Sequence, residues 1–303
     1  MSDMAAVRAL VVGHGSIGAR HARLLREMGC VVAVVSSRET PEHRRFASLD
    51  AALDGFAPGY VVIASVTSRH GEDLQRLADL GFKGVALVEK PLFMTAPDPA
   101  SHPAPSYGFP VFVAYNLRFH PVTQAFGAAL AGRRVLAANA LVGQHLSQWR
   151  PDRAPADTYS AHRGQGGGVV RDLSHEFDLA AHLFGPLTLR GGFSVRAGAV
   201  TVDSEDVAAA VFTAPACPLL SIHVNYLDHR PRRRWVAFTE DATVEADLVG
   251  GAVTVNDRSE TVAFSPDESY RRMHRAATSG GAALCSWEEG LALMTLIDTL
   301  APR

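Results

Sequence analysis

The reading of the fold turns on Ala9-Leu10-Val11-Val12-Gly13-His14-Gly15-Ser16-Ile17-Gly18. The apolar run Val7–Val12 reads as a buried strand. Glycines 13, 15 and 18 follow at once. Ala19–Met28 then reads as a helix, with Ile17, Leu24, Leu25 and Met28 on its apolar side. Strand, GxGxxG and helix is the setting of a dinucleotide-binding turn. The first glycine makes the tight turn and the second lets backbone approach a pyrophosphate. The third lets helix and strand pack closely, while the helix N-terminus offers free N–H groups and a partial positive charge. A bare GxGxxG is weak, because a plain βα turn uses glycine too; the flanking elements decide. Gly13, Gly15, Ser16, Ile17 and Gly18 are therefore expected at the cofactor.

Outward from this stretch, strands and helices alternate. Cys30–Val35 reads as strand two, Pro41–Leu53 as a short helix and Tyr60–Ala64 as strand three. Glu72–Leu80 reads as a helix, and Gly84–Val88 and Val111–Tyr115 as further strands. This alternation predicts a doubly wound parallel sheet, the Rossmann arrangement, whose ligands lie beyond the carboxyl ends of the strands. Ser36-Ser37-Arg38, Thr67 to His70 and Glu89-Lys90 all fall at such ends, so Ser36, Ser37, Arg38, Thr67, His70, Glu89 and Lys90 are expected to face a cofactor. The tip of strand two carries two hydroxyls and a guanidinium in place of the acid that holds ribose hydroxyls in NAD binders. This favours NADP, since arginine suits bidentate phosphate contacts. Glu39 keeps NAD open, and Arg38 as a plain surface charge is the bland alternative.

The chain of 303 residues, 47% hydrophobic, can bury two cores. A dinucleotide-binding domain is expected over 1–117 and a second α/β domain over 118–303. Net charge −2 points to neither nucleic acid nor a membrane surface. The basic run His229-Arg230-Pro231-Arg232-Arg233-Arg234 reads as a solvated hairpin. Three scattered cysteines fit neither a disulfide framework nor a zinc site. With no secretory signal or membrane-length apolar run, a cytoplasmic protein is expected. Thr95–Pro110 is proline-rich and reads as a loop.

In the second half, Val122–Ala131 reads as a helix. Leu136–Val142, Gly192–Val195, Asp206–Phe212, Ser221–Tyr226, Trp235–Thr239, Thr243–Asp247 and Thr261–Phe264 read as strands, and Trp287–Leu300 as a final helix. So many strands with few helices between them predict a large, mostly antiparallel open sheet. Its uncovered face and edges predict a homodimer or homotetramer.

The second informative stretch is Gly166-Gly167-Gly168-Val169-Val170-Arg171-Asp172-Leu173-Ser174-His175-Glu176. Its glycines free the backbone for a close approach, and one helix is expected to run from there to Phe184. On it Asp172, His175 and Glu176 share a face. A histidine with a carboxylate one turn away is a proton-transfer pair. The alternatives are a surface pair with no role and a metal site. The metal reading is the weaker one, because Leu179 stands where HExxH needs its second histidine and His182, seven residues on, is a third-choice ligand, so no metal is expected. Lys90 ends a buried strand before a rigid proline and is expected to share proton transfer with His175. Alone, Lys90 would be an exposed lysine and Glu89 a structural salt-bridge partner.

Glycine fingerprint, Glu89-Lys90-Pro91, Asn116-Leu117-Arg118-Phe119-His120-Pro121, then triple glycine with Asp172 and His175, resembles the glucose–fructose oxidoreductase/inositol dehydrogenase/MocA family over almost the whole chain. The resemblance implies NAD(P)-dependent oxidation or reduction of a sugar, cyclitol or related carbonyl. Lys90 matches the lysine of the Glu-Lys-Pro motif, Asp172 and His175 the acid and histidine of the substrate domain, and Asn116 a cofactor contact. Gln144-His145-Leu146-Ser147-Gln148-Trp149-Arg150-Pro151 and Tyr159-Ser160-Ala161 resemble a branch found with surface-polysaccharide and nonulosonic-acid sugars. That implies an activated or acidic sugar, with Arg118, Trp149, Arg150, Tyr159 and Arg163 near it. Two departures stand out: the Asp–His gap is three rather than four, and the proline-rich segment replaces a helix after Glu-Lys-Pro. A regulatory or assembly protein that binds cofactor without turnover, and a lyase or glycosidase-like enzyme using bound NAD transiently, are the competing readings.

Overall fold

The computed structural model describes residues 4, 6–97, 107–149, 154–198 and 200–301. The chain forms two compact units: one holds the chain up to Asn116 together with Pro266–Met294, the other Leu117–Ser265 and the chain from Thr295 onward. The expected single cut between 117 and 118 therefore misses a return of the chain to the first unit.

The first unit opens with β1 (Arg8–Val12), α1 (Ser16–Glu27), β2 (Val31–Val35), β3 (Arg44–Phe46), α2 (Leu49–Phe56) and β4 (Tyr60–Ile63). α3 (His70–Asp79), β5 (Val85–Val88) and β6 (Val111–Val113) follow. Ala9 to Val12 and Tyr60 to Ile63 are buried on both faces, as strands inside a parallel sheet must be. The helix expected over Pro41–Leu53 is instead a strand and a later helix. Arg44–Phe46 pairs parallel with Ala33–Val35, and the Ser48 hydroxyl caps α2 by accepting from the Ala51 amide. The expected proline-rich loop lies largely outside the described residues.

The second unit contains α4 (Pro121–Leu130), β7 (Val135–Gly143), α5 (Val169–Asp172), α6 (His175–Phe184), β8 (Thr188–Val195) and β9 (Val207–Ala214). β10 (Cys217–Asn225), β11 (Arg232–Thr239), β12 (Thr243–Asp247), β13 (Ala252–Val255) and β14 (Arg258–Thr261) complete an eight-stranded sheet, ordered β14-β13-β12-β11-β7-β10-β9-β8. Every neighbouring pair is antiparallel except β10 with β7. Instead of one strand over Thr261–Phe264 there is a β13–β14 hairpin, turned at Asn256, whose φ of +51° asparagine tolerates. The inward face packs on α4 and α6. The outward face leaves Phe193, Val211, Leu219, Leu141 and Phe238 exposed.

The chain then returns to the first unit with α7 (Glu268–Thr278), β15 (Cys285–Ser286) and the start of α8 (Trp287–Leu300). α7 buries Met273, His274 and Ala277 and packs on α1 and β5. β15 pairs antiparallel with β6, completing a seven-stranded sheet ordered β15-β6-β5-β4-β1-β2-β3. A short strand there covers an otherwise open edge. The basic run enters β11, not a hairpin tip: Arg232, Arg233 and Arg234 pair with Asp228, Glu176 and Asp247. Cys30, Cys217 and Cys285 are buried free thiols. No helix among the described residues is long and apolar enough to cross a membrane.

Candidate functional site

In the first unit the three glycines divide their work. Gly13 has φ +93°, and a Cβ there would stand 2.5 Å from the Ala64 carbonyl oxygen. A Cβ on Gly18 would stand 2.1 Å from the Gly13 carbonyl oxygen, so helix and strand touch through it. Around Gly15, among the described residues, nothing beyond its chain neighbours and its own helix lies within 4 Å of the would-be Cβ. That space belongs to a cleft of ≈ 690 Å³ whose walls include His14, Gly15, Ser37, Arg38, Ser65 and Arg69. α1 starts at Ser16, with Ile17 half-buried behind it. It has no side-chain cap and no acid in its first turn, so its leading N–H groups stay available. Open room at Gly15 and an uncapped helix start suit a dinucleotide pyrophosphate.

The tip of β2 lines the same cleft. Ser36 shapes it: its hydroxyl accepts from the Arg38 amide at 2.9 Å and donates to the Arg38 carbonyl at 3.1 Å. Ser37 and Arg38 are exposed, and the Arg38 guanidinium makes no ion pair among the described residues. Glu39 lines a neighbouring hollow of ≈ 430 Å³ with His14, Ser16 and Arg20.

Several expected cofactor residues make hydrogen bonds within the protein. His70 is buried, with ring nitrogens 3.2 Å from the Leu92 and Ser65 carbonyl oxygens, and burial lowers its pKa. It joins two loops rather than facing the cleft. At the end of β4 the cleft is lined by Ser65, Val66 and Arg69, while Thr67 opens the adjoining 3₁₀ turn. The Asn116 side-chain amide donates to the Ser269 hydroxyl at 2.8 Å. Glu89 accepts from the Lys90 backbone amide at 3.1 Å and bonds His21 at 2.8 Å. Lys90 is half-buried at the end of β5, and its peptide bond to Pro91 is cis.

In the second unit the triple glycine packs against the protein's own chain. A Cβ on Gly167 would stand 2.3 Å from the Tyr159 carbonyl oxygen. Gly168, at φ +125°, would put one 2.3 Å from the Glu205 carboxylate. That carboxylate accepts from the Val170 amide at 3.2 Å, at the start of α5, and burial raises its pKa. The expected single helix is broken after Asp172: α5 closes there and α6 opens at His175, so the two do not share one continuous helix. Asp172 is buried and accepts from the Tyr226 hydroxyl at 2.7 Å, with the Trp149 ring edge-on to Tyr226 at 5.2 Å. Sequence reading missed Tyr226, which looks like any strand-end aromatic. His175 is half-buried.

Glu176, by contrast, is fully buried against Trp235 Nε1 at 3.1 Å and Arg233 Nε at 2.9 Å, yet burial dominates and raises its pKa. Arg118, expected near the substrate, turns its guanidinium onto Asp178, from Nε and Nη2 at 2.7–3.0 Å, with both side chains at most 2% exposed. The Trp149 indole N–H is buried without an acceptor among the described residues. Tyr159 is 43% exposed, and the Arg163 backbone amide donates to Asp203. Arg150 lies outside the described residues. Among the described residues, no group of three or more His, Cys, Asp or Glu could hold a metal.

A family model for NAD(P)-binding matches residues 1–85. No curated protein matches the sequence. Among solved structures, UDP-N-acetylglucosamine 3-dehydrogenase from Acidithiobacillus ferrooxidans superposes with TM-score 0.75 at 20% identity, over 97% of this chain and 96% of that one. The WlbA dehydrogenase from Bordetella pertussis, solved with NADH and UDP-GlcNAcA, gives 0.73 at 20% identity, over 97% and 95%. An oxidoreductase from Thermotoga maritima gives 0.80 at 14% identity, over 97% and 95%. This chain has the fold of these solved oxidoreductases, and its residues 1–85 match the model for NAD(P)-binding.

Proposed function

We propose that this chain is an NAD(P)-dependent oxidoreductase that moves a hydride between a nicotinamide and a carbinol carbon of a sugar, sugar nucleotide or cyclitol. The observation that carries the reading is the uncapped start of α1 beside Gly15, whose open side faces the ≈ 690 Å³ cleft. Gly13, Gly15 and the amides of Ser16 and Ile17 would hold the pyrophosphate. Ser37 and Arg38 would take a 2′-phosphate, which favours NADP. The nicotinamide supplies or accepts the hydride. Lys90 and His175 carry the matching proton to or from the substrate oxygen, and Asp172, anchored by Tyr226, orients the start of α6. Trp149, whose indole N–H has no acceptor among the described residues, and Tyr159 and Arg163 are the substrate contacts.

An activated sugar as substrate is supported by two structural relatives, one named for UDP-N-acetylglucosamine and one solved with UDP-GlcNAcA. The exposed apolar residues on the outward face of the second unit's sheet pair with a second copy of the chain. Sedimentation equilibrium tests this: Phe193→Arg should turn a dimer or tetramer into smaller species. Three buried thiols fit a cytoplasmic setting.

The testing experiment is titration of cofactor-stripped protein with NADPH and NADH, read by nicotinamide fluorescence. NADPH should bind at about micromolar level, and Arg38→Ala should cost it about tenfold while sparing NADH. Lys90→Met should lower turnover by about a hundredfold or more. Failure to bind either dinucleotide overturns the reading.

A further inference from the structure

A buried chain of four side chains crosses the first unit. The Tyr60 hydroxyl lies 2.9 Å from His274 Nδ1, and His274 Nε2 lies 2.9 Å from His21 Nδ1. His21 Nε2 lies 2.8 Å from Glu89 Oε1, and Glu89 Oε2 accepts from the Lys90 backbone amide at 3.1 Å. Tyr60, His274 and His21 are at most 1% exposed and Glu89 is 8% exposed. The four residues come from β4, α7, α1 and the end of β5.

A carboxylate only accepts, so His21 Nε2 carries a proton toward Glu89. His274 is held neutral, because burial and the neighbouring His21 push its pKa well below the ordinary histidine value. The hydrogen bonds run without a break from Tyr60 through His274 and His21 to Glu89, and every polar side-chain atom along the run has a partner. The other titratable groups around it are Cys30, whose thiol burial raises to about 11, His70 on α3, and Tyr270 edge-on to His21 at 5.6 Å.

We propose that His21 is a positioning residue for Lys90. It fixes the Glu89 carboxylate, and that carboxylate fixes the backbone from which the lysine side chain projects. The role of Lys90 rests on the function proposed above; its immobilisation by His21 does not. The physical ground is that a buried carboxylate with one oxygen on an imidazole and the other on a backbone amide has no rotational freedom left. A lysine needs that anchorage if its amine is to meet a reacting oxygen within a fraction of an ångström.

The chain contains two lysines, Lys83 and Lys90, so protein grown on [ε-¹³C]lysine gives two side-chain signals, and Lys83→Arg assigns them. In wild type the Lys90 signal should relax as an ordered side chain. In His21→Leu it should sharpen toward free rotation while Lys83 stays unchanged. His21→Gln, which keeps a donor for Glu89, should restore most of the order. In turnover, His21→Leu should lower kcat by about ten- to a hundredfold with cofactor KM unchanged, and His21→Gln should recover most of it. An unchanged Lys90 signal in folded His21→Leu, or no difference between the Leu and Gln variants, overturns the proposal. If His21→Leu does not fold, Glu89→Leu takes its place. It offers no acceptor to the Lys90 amide and no partner to His21, and unchanged Lys90 order there also overturns the proposal. The NMR readout needs neither cofactor nor substrate, so it stands apart from a failure of the redox reading.

Discussion

Tyr226, the first residue after β10, donates its hydroxyl to the Asp172 carboxylate at 2.7 Å, joining the sheet of the second unit to the last residue of α5. Burial and the Asp172 charge raise the Tyr226 pKa well above its ordinary value, so the phenol stays a donor across the working pH range. Tyr226→Phe leaves a buried carboxylate short of a donor. It should cost about 1–3 kcal/mol of stability and lower kcat/KM by about tenfold. Denaturant unfolding and steady-state kinetics check this, and a variant indistinguishable from wild type in both would remove Tyr226 from the site.

Arg118 and Asp178 form a bidentate pair sealed inside the second unit. Arg118→Met removes the guanidinium that pairs the buried Asp178 charge and should cost about 3–5 kcal/mol, while Arg118→Met with Asp178→Leu should recover most of that. Urea midpoints measure it. A loss below about 1 kcal/mol for the single variant would mean that Asp178 finds another partner.

His274 gives stability a pH dependence of known sign. Its folded pKa lies below the unfolded value of 6.5, so below that pH the unfolded chain binds more protons than the folded one. Its contribution is present above pH 6.5 and is lost as pH falls from there toward the depressed folded pKa. Glu176 and Glu205, whose folded pKa values are raised above 4.5, act in the opposite sense as pH rises from that value. The difference between wild type and His274→Gln isolates the histidine: melting temperature should fall more steeply below pH 6.5 in wild type. Parallel curves would contradict the assignment of a neutral His274.

Gly15 and Gly168 should respond in opposite ways to alanine. Gly15→Ala meets nothing within 4 Å, so stability should hold within about 0.5 kcal/mol. Dinucleotide affinity should nonetheless drop by about tenfold or more, because the new methyl group enters the space proposed for the pyrophosphate. Gly168→Ala must leave φ +125° or displace Glu205, and should cost about 2 kcal/mol or more. Calorimetry with a binding titration on both variants checks the contrast. Equal binding in Gly15→Ala and wild type would move the pyrophosphate elsewhere.

Local patterns determined much of this protein. The all-apolar strand, the three glycines and the helix after them are neighbours in sequence, and steric limits on φ and close approach act at that range. Most strands of the second sheet were likewise legible, although the β13–β14 hairpin was not: one strand over Thr261–Phe264 was expected there. Only tertiary structure decided the roles of individual polar residues. Arg118 read as a ligand until Asp178, 60 positions away, was seen to close on it. The Asp172–His175 pair read as one helical face until the helix proved to break between them. Glu89 met His21 across 68 residues, and His21 met His274 across 253. Whether a charged or hydrogen-bonding group serves chemistry or architecture depends on what surrounds it after burial. Sequence spacing carries no record of that when the partners arrive from other strands and helices.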